Sequence, residues 1–181
     1  MILDDYVWSA GVATDLVNTA ALVWSDGHDR LPDTAALREF LADHGLPPLG
    51  ADGAAADREL VAVHRLRDRL RAVLEHPEPA RATDLAAAAG TLTISAPERS
   101  WSLTVPDGTP PRALLSTVAG AGVLGALLHL GPERFRRCEA GCLGLFIDTS
   151  RAGRRRFCMP RLCGSRVNAA NYRARQRNTH S

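Results

Sequence analysis

A chain of 181 residues with 45% apolar side chains suits one domain of ordinary size, or one domain with a small appendage, and excludes global disorder. All 22 basic residues are arginine, which we read mainly as a GC-rich coding bias. The net charge of +2 conceals an asymmetry: from Pro132 onward 12 arginines face Glu133, Glu139 and Asp148, whereas residues 1–131 carry 10 arginines against 17 acids. An acidic body followed by a basic segment points to nucleic acid or an anionic surface.

"MILDDYVWSAG" shows no basic leader followed by an apolar stretch, so secretion is not expected. "AGVATDLVNTAALVW" places Val12, Leu16, Val17, Leu22 and Val23 at mostly helical spacings and breaks at "SDGHDRLPD". Asp33 reads as the N-cap of "TAALREFLADH", with Leu37, Phe40 and Leu41 buried and Gly45 as its stop. After the loop "LPPLGADGAAA", a longer helix is expected from Asp57, apolar at Leu60, Val63, Leu70 and Leu74, with arginines opposite. Pro77 and Pro79 end it, and residues 82–89 can form one more short helix. "TLTISAPERSWSLTVP" alternates in both halves around a proline-containing turn and reads as a β-hairpin. "ALLSTVAGAGVLGALLHL", residues 113–130, has no charge over 18 residues, a borderline length for a membrane span. Its three glycines, Ser116, Thr117 and His129 favour a helix buried in a protein core, so no membrane partner is expected.

Every cysteine falls in the basic segment. Cys138 and Cys142 are separated from Cys158 and Cys163 by 15 residues, the two-pair spacing of a structural zinc site. "LGLFID", "TSRAG" and "RRRFC" read as strand, turn and returning strand, and the chain turns helical after Cys163. That order is knuckle, hairpin, knuckle, helix, as in a treble-clef-like finger. About 50 residues with few large apolar side chains need a metal or disulfides to fold, and thiolate ligation can supply apparent folding energy on the order of 10 kcal/mol. Disulfides are the main alternative and require an oxidising compartment. Neither pair has the C-x-x-C spacing of a redox dithiol, and "HPE" at residues 76–78 lacks the P-C-x-x-C partner of a zinc deaminase.

"LGLFIDTSRAGRRRFC" followed by "CMPRLCGSR" resembles the CGNR zinc-finger family of bacterial regulators. The likeness includes the F-x-D-x-S-R and R-R-aromatic-C elements, with Cys163, Gly164, Ser165 and Arg166 at the name-giving positions. Ser165 stands where the family has Asn, and Ser can still cap a helix. "DLVNT" followed by "LPDTAALREFLADHGL" resembles the ABATE domain that precedes this finger in the same family. The resemblance implies a two-domain, one-component, stress-linked bacterial transcription regulator.

On the final helix, Arg166, Arg173 and Arg177 fall within about 40° of one another at 100° per residue, beside an apolar stripe of Val167, Ala170 and Ala174 expected to pack on the finger. Arg154, Arg155, Arg156, Arg161 and Arg175 add to the basic surface, while Asn168, Asn171 and Gln176 can read base edges. The alternative is a solvated surface in an arginine-biased protein. Asp15, Asn18 and Thr19 form a polar group on an apolar helix, expected to be a buried network before a ligand site. "GAGVLG", residues 120–125, lacks a preceding strand, so close helix packing is a better account of it than dinucleotide binding. Trp8, Trp24 and Trp101 are expected in the core, and the six histidines show no metal-ligand spacing.

The expected class is therefore α+β and mostly helical: an α-rich N-terminal domain with a β-hairpin over residues 1–131, and the four-cysteine finger, hairpin then helix, over residues 132–181. The expected function is a cytoplasmic, zinc-dependent, DNA-binding transcription regulator and not an enzyme. The N-terminal domain would sense a small-molecule effector or form a homodimer. The alternatives are an enzyme or ligand-binding protein with its site in the N-terminal domain, and an RNA-binding or protein-docking finger.

Overall fold

The computed structural model describes residues 2–3, 5–95 and 100–179. Six α-helices and five strands occur among them: β1 (Ile2–Leu3), α1 (Tyr6–Asn18), α2 (Thr34–Asp43), α3 (Gly53–Glu75), α4 (Pro79–Ala86), β2 (Thr91–Ser95), β3 (Ser100–Thr104), α5 (Pro111–Leu130), β4 (Phe135–Arg137), β5 (Leu145–Ile147) and α6 (Ser165–Thr179). The chain is mostly helical, as its periodicity indicates.

The uncharged helix α5 is the centre of the fold. It packs against α1, α4 and α3, and nearly all of its residues from Leu114 to Ala126 are buried. Its glycines explain how closely these helices approach. A Cβ on Gly120 would strike the backbone of Ala86 in α4, and one on Gly122 the backbone of Ala10 in α1. The polar residues of α5 are also used: Ser116 Oγ donates to Leu85 O (3.0 Å), and Thr117 Oγ1 accepts from Ala89 N (3.1 Å). Both close the end of α4, where Leu85 O also accepts from Ala88 N (3.3 Å).

Local signals account for several boundaries. Asp33 Oδ1 accepts from Ala36 N (2.9 Å) at the start of α2. At its end Gly45 adopts φ +64°, with Leu46 N donating to Leu41 O (2.8 Å) and Gly45 N to Ala42 O (2.9 Å). This is a Schellman stop, and glycine meets its left-handed requirement at no steric cost. Helix α3 starts at Gly53, one turn before the expected Asp57. The three alanines that follow Gly53 favour helix intrinsically but add little to an apolar pattern. Helix α1 ends at Asn18, where the indole of Trp24 donates to Asn18 O (2.8 Å) and Arg30 N to Thr19 O (2.8 Å). Leu22, expected on the helical face, is exposed.

The expected hairpin forms between β2 and β3, with Ser95 opposite Ser100; its turn, residues 96–99, lies outside the described residues. Strand β1 joins β3 on the other side, giving the order β1-β3-β2. Two residues of strand are too few to show alternation, so β1 left no pattern to read. Trp8 packs on the main core, while the side chain of Trp101, like His180, lies outside the described residues.

Not every arginine of α3 faces water. Arg67 is buried and donates to both carboxylate oxygens of Asp29 (2.8 and 2.6 Å) and to Thr19 Oγ1 (3.0 Å). Burial works against the Asp29 carboxylate, but the Arg67 guanidinium and the Leu31 amide outweigh it and hold its pKa below the ordinary value.

Candidate metal centre and nucleic-acid interface

The cysteine segment is built around an antiparallel pair, β4 with β5, in the register Phe135–Ile147, Arg136–Phe146 and Arg137–Leu145. The turn between these strands carries Cys138 and Cys142, with Gly141 at φ +78°. Cys138 N donates to Gly144 O (2.9 Å) across its mouth. The hairpin therefore encloses the first cysteine pair, whereas the expected returning strand, "RRRFC", is extended loop. The reason is local. Arg155 N, which a ladder would need, donates instead to Asp148 Oδ2 (2.9 Å), and Arg156 O accepts from Glu139 N (3.0 Å), just beyond β4, rather than from "LGLFID".

Cys158 lies two residues before a five-residue π-helical turn, Pro160–Gly164, which contains Cys163 and runs directly into α6. Cys163 N donates to Met159 O (2.8 Å) and so tightens the second knuckle. The four sulfurs lie within 4.8 Å of one another, with Cys142–Cys158 at 3.6 Å, Cys142–Cys163 at 3.8 Å and Cys158–Cys163 at 3.7 Å. A tetrahedron of thiolates about 2.3 Å from zinc has edges of about 3.8 Å. A disulfide needs about 2.05 Å, and all four cysteines are free.

The thiols of the cluster are shifted unevenly: burial works against the Cys138 thiolate, but hydrogen bonds from the main chain and from neighbouring sulfurs lower its pKa overall. Burial and the neighbouring sulfurs hold the Cys158 thiol far above its ordinary pKa. Cys163 is pushed up to about 11, chiefly by burial. Four thiolates this close repel one another unless a divalent cation sits between them, and the cation in turn makes the thiols give up their protons. Four cysteine ligands fill a tetrahedral zinc and leave no open position, so the site is structural. Phe146, Phe157, Met159 and Ala140 surround it.

Strand β5 has two faces and serves two cores. Leu145 and Ile147 are buried in the main core among the helices, whereas Phe146 is buried among the cysteines. The alternation of a strand produces this division directly. The residue that follows, Asp148, is fully buried. Its carboxylate accepts from Ser150 N (3.0 Å), Ser150 Oγ (2.5 Å) and Arg155 N (2.9 Å), with Arg136 at 3.8 Å. Burial alone would raise its pKa; these donors hold it below the ordinary value. The F-x-D-x-S-R element is thus a loop clasp, and an acid directly after an apolar strand was its sequence signal.

The polar group in "DLVNT" divides three ways. Asp15 is exposed and pairs with His44 Nε2 (3.1 Å). Thr19 joins the Arg67–Asp29 pair. Asn18 is buried and pairs with the main chain of Leu145: Oδ1 accepts from Leu145 N (3.0 Å) and Nδ2 donates to Leu145 O (2.7 Å). One turn earlier, Thr14 Oγ1 accepts from Ile147 N (3.2 Å). Two polar residues four apart on an apolar helix were the only sign of this clasp.

The ABATE family model, described as "Putative stress-induced transcription regulator", matches residues 10–129, and the CGNR zinc-finger model matches residues 134–176. The chain belongs to the ABATE family. It carries a CGNR finger with a structural zinc site formed by Cys138, Cys142, Cys158 and Cys163. No curated protein matches the chain.

The arginines of the CGNR finger fall into two groups. Arg155 lies over the Phe146 ring at 4.8 Å and donates to Phe157 O (2.9 Å) and to Cys158 O. Arg156 pairs with Glu139 (2.6 Å) and Arg137 with Glu75 (3.3 Å), while Arg134 donates to Ser150 O (2.9 Å). These side chains hold the finger together or hold it to the body. Arg151, Arg154, Arg161, Arg166 and Arg173 are exposed and have no such partner among the described residues. Asn168, Asn171 and Arg175 are also exposed on α6; the side chain of Arg177 lies outside the described residues.

Helix α6 packs chiefly on the π-helical turn that precedes it. The expected apolar stripe does not lie against the finger: Val167 is half-buried, Ala170 is exposed, and the side chain of Ala174 is outside the described residues. Small alanines offer too little apolar area to draw the helix back across the zinc site. Ser165 does not cap the helix. The π-helical turn continues into α6 without a break, and the Ser165 hydroxyl donates back to Arg161 O (2.7 Å).

Proposed function

We propose that this ABATE-family protein is a DNA-binding transcription regulator whose finger, residues 132–181, contacts duplex DNA and whose residues 1–131 regulate it. One observation carries the reading: α6 follows a zinc-ligating cysteine directly, packs chiefly on the π-helical turn before it, and bears arginines but no acidic side chain. A helix of that kind can enter a major groove or track phosphates. Arg154, Arg161, Arg166 and Arg173 are the proposed phosphate or guanine contacts, with Arg175 and Arg177 further along α6. Asn168 and Asn171 are the proposed readers of adenine. Arg155 and Arg156 support the fold of the finger.

The family description speaks for a regulator over an enzyme. We assign effector binding or dimerisation to the N-terminal part and place the protein in the cytoplasm. Helix α5 is long and apolar enough to cross a membrane, but two-thirds of its apolar window is buried among the other helices.

The test is duplex binding by the zinc-loaded protein across a salt series. Each phosphate contact contributes about −0.9 to the slope of log K against log salt, so Arg166→Ala and Arg173→Ala should each weaken binding and flatten that slope by about one unit. Unchanged binding in both variants would assign α6 another partner, and preference for single-stranded RNA over duplex DNA would assign it RNA.

A further inference from the structure

We infer that helix α1 is a working part of the zinc module, with Thr14 and Asn18 as positioning residues that set the metal affinity of the finger. The inference is independent of what α6 binds.

The connection can be followed atom by atom. Asn18 presents its amide to Leu145 as a neighbouring strand would, accepting from the main-chain N and donating to the main-chain O, and a third bond to Thr14 O (2.9 Å) fixes the amide itself. Thr14 takes the next inward-facing amide, that of Ile147. One residue before Leu145 stands Gly144, whose carbonyl receives Cys138 N. A Cβ on Gly144 would strike Cys158 Sγ on one side and lie 3.1 Å from Asn18 Oδ1 on the other. The Asn18 amide and a ligand sulfur are therefore separated by one glycine backbone. Two further bonds reinforce the arrangement from α3: Arg71 donates to Leu143 O (2.7 Å), and Glu75 meets Arg137.

Metal binding to a flexible loop must also order that loop, and the ordering cost lowers the affinity. Here the body has already ordered the strand that follows the first cysteine pair. Linkage makes the effect reciprocal: if α1 raises zinc affinity, zinc stabilises the end of α1 by the same factor.

The experiment uses the full chain. Zinc affinity is measured by competition with a chromophoric chelator, and the ligand geometry is checked by the d–d spectrum of the cobalt-substituted protein. Asn18→Ala and Thr14→Val should bind zinc at least about tenfold more weakly, the scale seen for groups that orient metal ligands. Thr14→Ser keeps the hydroxyl and should bind as wild type. Leu37→Ala, a core truncation in α2, should lower stability without changing zinc affinity. In the wild type, stripping zinc should speed amide exchange in the last turn of α1 and at Leu145 and Ile147 by at least about tenfold. Wild-type zinc affinity in Thr14→Val, or exchange in α1 indifferent to zinc, would overturn the inference. If Asn18→Ala fails to fold, the Thr14 pair and the wild-type exchange decide it.

Discussion

Leu145 and Phe146 are adjacent on β5 and belong to different cores. Leu145 is buried with the helices of the body, Phe146 with the zinc-binding cysteines. The short finger, with only about 50 residues and few large apolar side chains, is completed by lending two of them, Leu145 and Ile147, to the larger core. Its own apolar interior is Phe146 with its sulfur neighbours, and Leu143 is exposed.

Truncating these two neighbours should have separable effects. Leu145→Ala should cost about 2–5 kcal/mol and Phe146→Ala about 3–5 kcal/mol, measured by urea denaturation of the zinc-loaded protein. The cobalt-substituted spectrum should change more in Phe146→Ala, since of the two side chains it is Phe146 that packs on the ligand sulfurs and carries Arg155 on its face.

Gly144→Ala should be among the most damaging single-methyl additions in the chain. The new Cβ has Cys158 Sγ on one side and Asn18 Oδ1 on the other, so either the metal geometry or the clasp from α1 must give way. Overpacking of this kind costs about 1–3 kcal/mol in an ordinary core. Chelator competition should show weakened zinc binding as well as a lowered unfolding midpoint.

Arg67→Ala should destabilise by about 2–3 kcal/mol, because it leaves the half-buried Asp29 carboxylate without its bidentate partner. The double variant Arg67→Met with Asp29→Leu should recover part of that loss. Denaturation of both variants checks the two statements, and a double variant at least as damaged as Arg67→Ala would overturn the second.

The Asp15–His44 contact predicts a defined pH dependence. Burial lowers the His44 pKa, but the hydrogen bond its ring donates to Asp15, with that to Phe40 O, raises it overall above 6.5. The stabilisation is fully present below the unfolded value, about 6.5, and is lost as pH rises through the higher folded value. An NMR titration should place His44 above 6.5 in the wild type and lower in Asp15→Asn, and the variant should lose its stability deficit at alkaline pH.

Much of this protein is determined within short stretches of sequence. The stops and caps of α2 at Asp33 and Gly45, the buried character of α5 and the zinc-ligand spacing all rest on interactions a few residues long, so they are legible from residue type and spacing. Even α5's glycines announced close helix contact, though not which helices. Other features were settled only by tertiary structure. Asn18 reaches a partner 127 residues away, β5 divides its side chains between two cores, and Arg67 and Arg155 turn inward among many arginines of identical chemistry. A side chain's partner depends on where the folded chain returns, and neither composition nor periodicity carries that information. The four cysteines announced the metal; only the fold showed that the helix carrying "DLVNT" is hydrogen-bonded to the strand beside them.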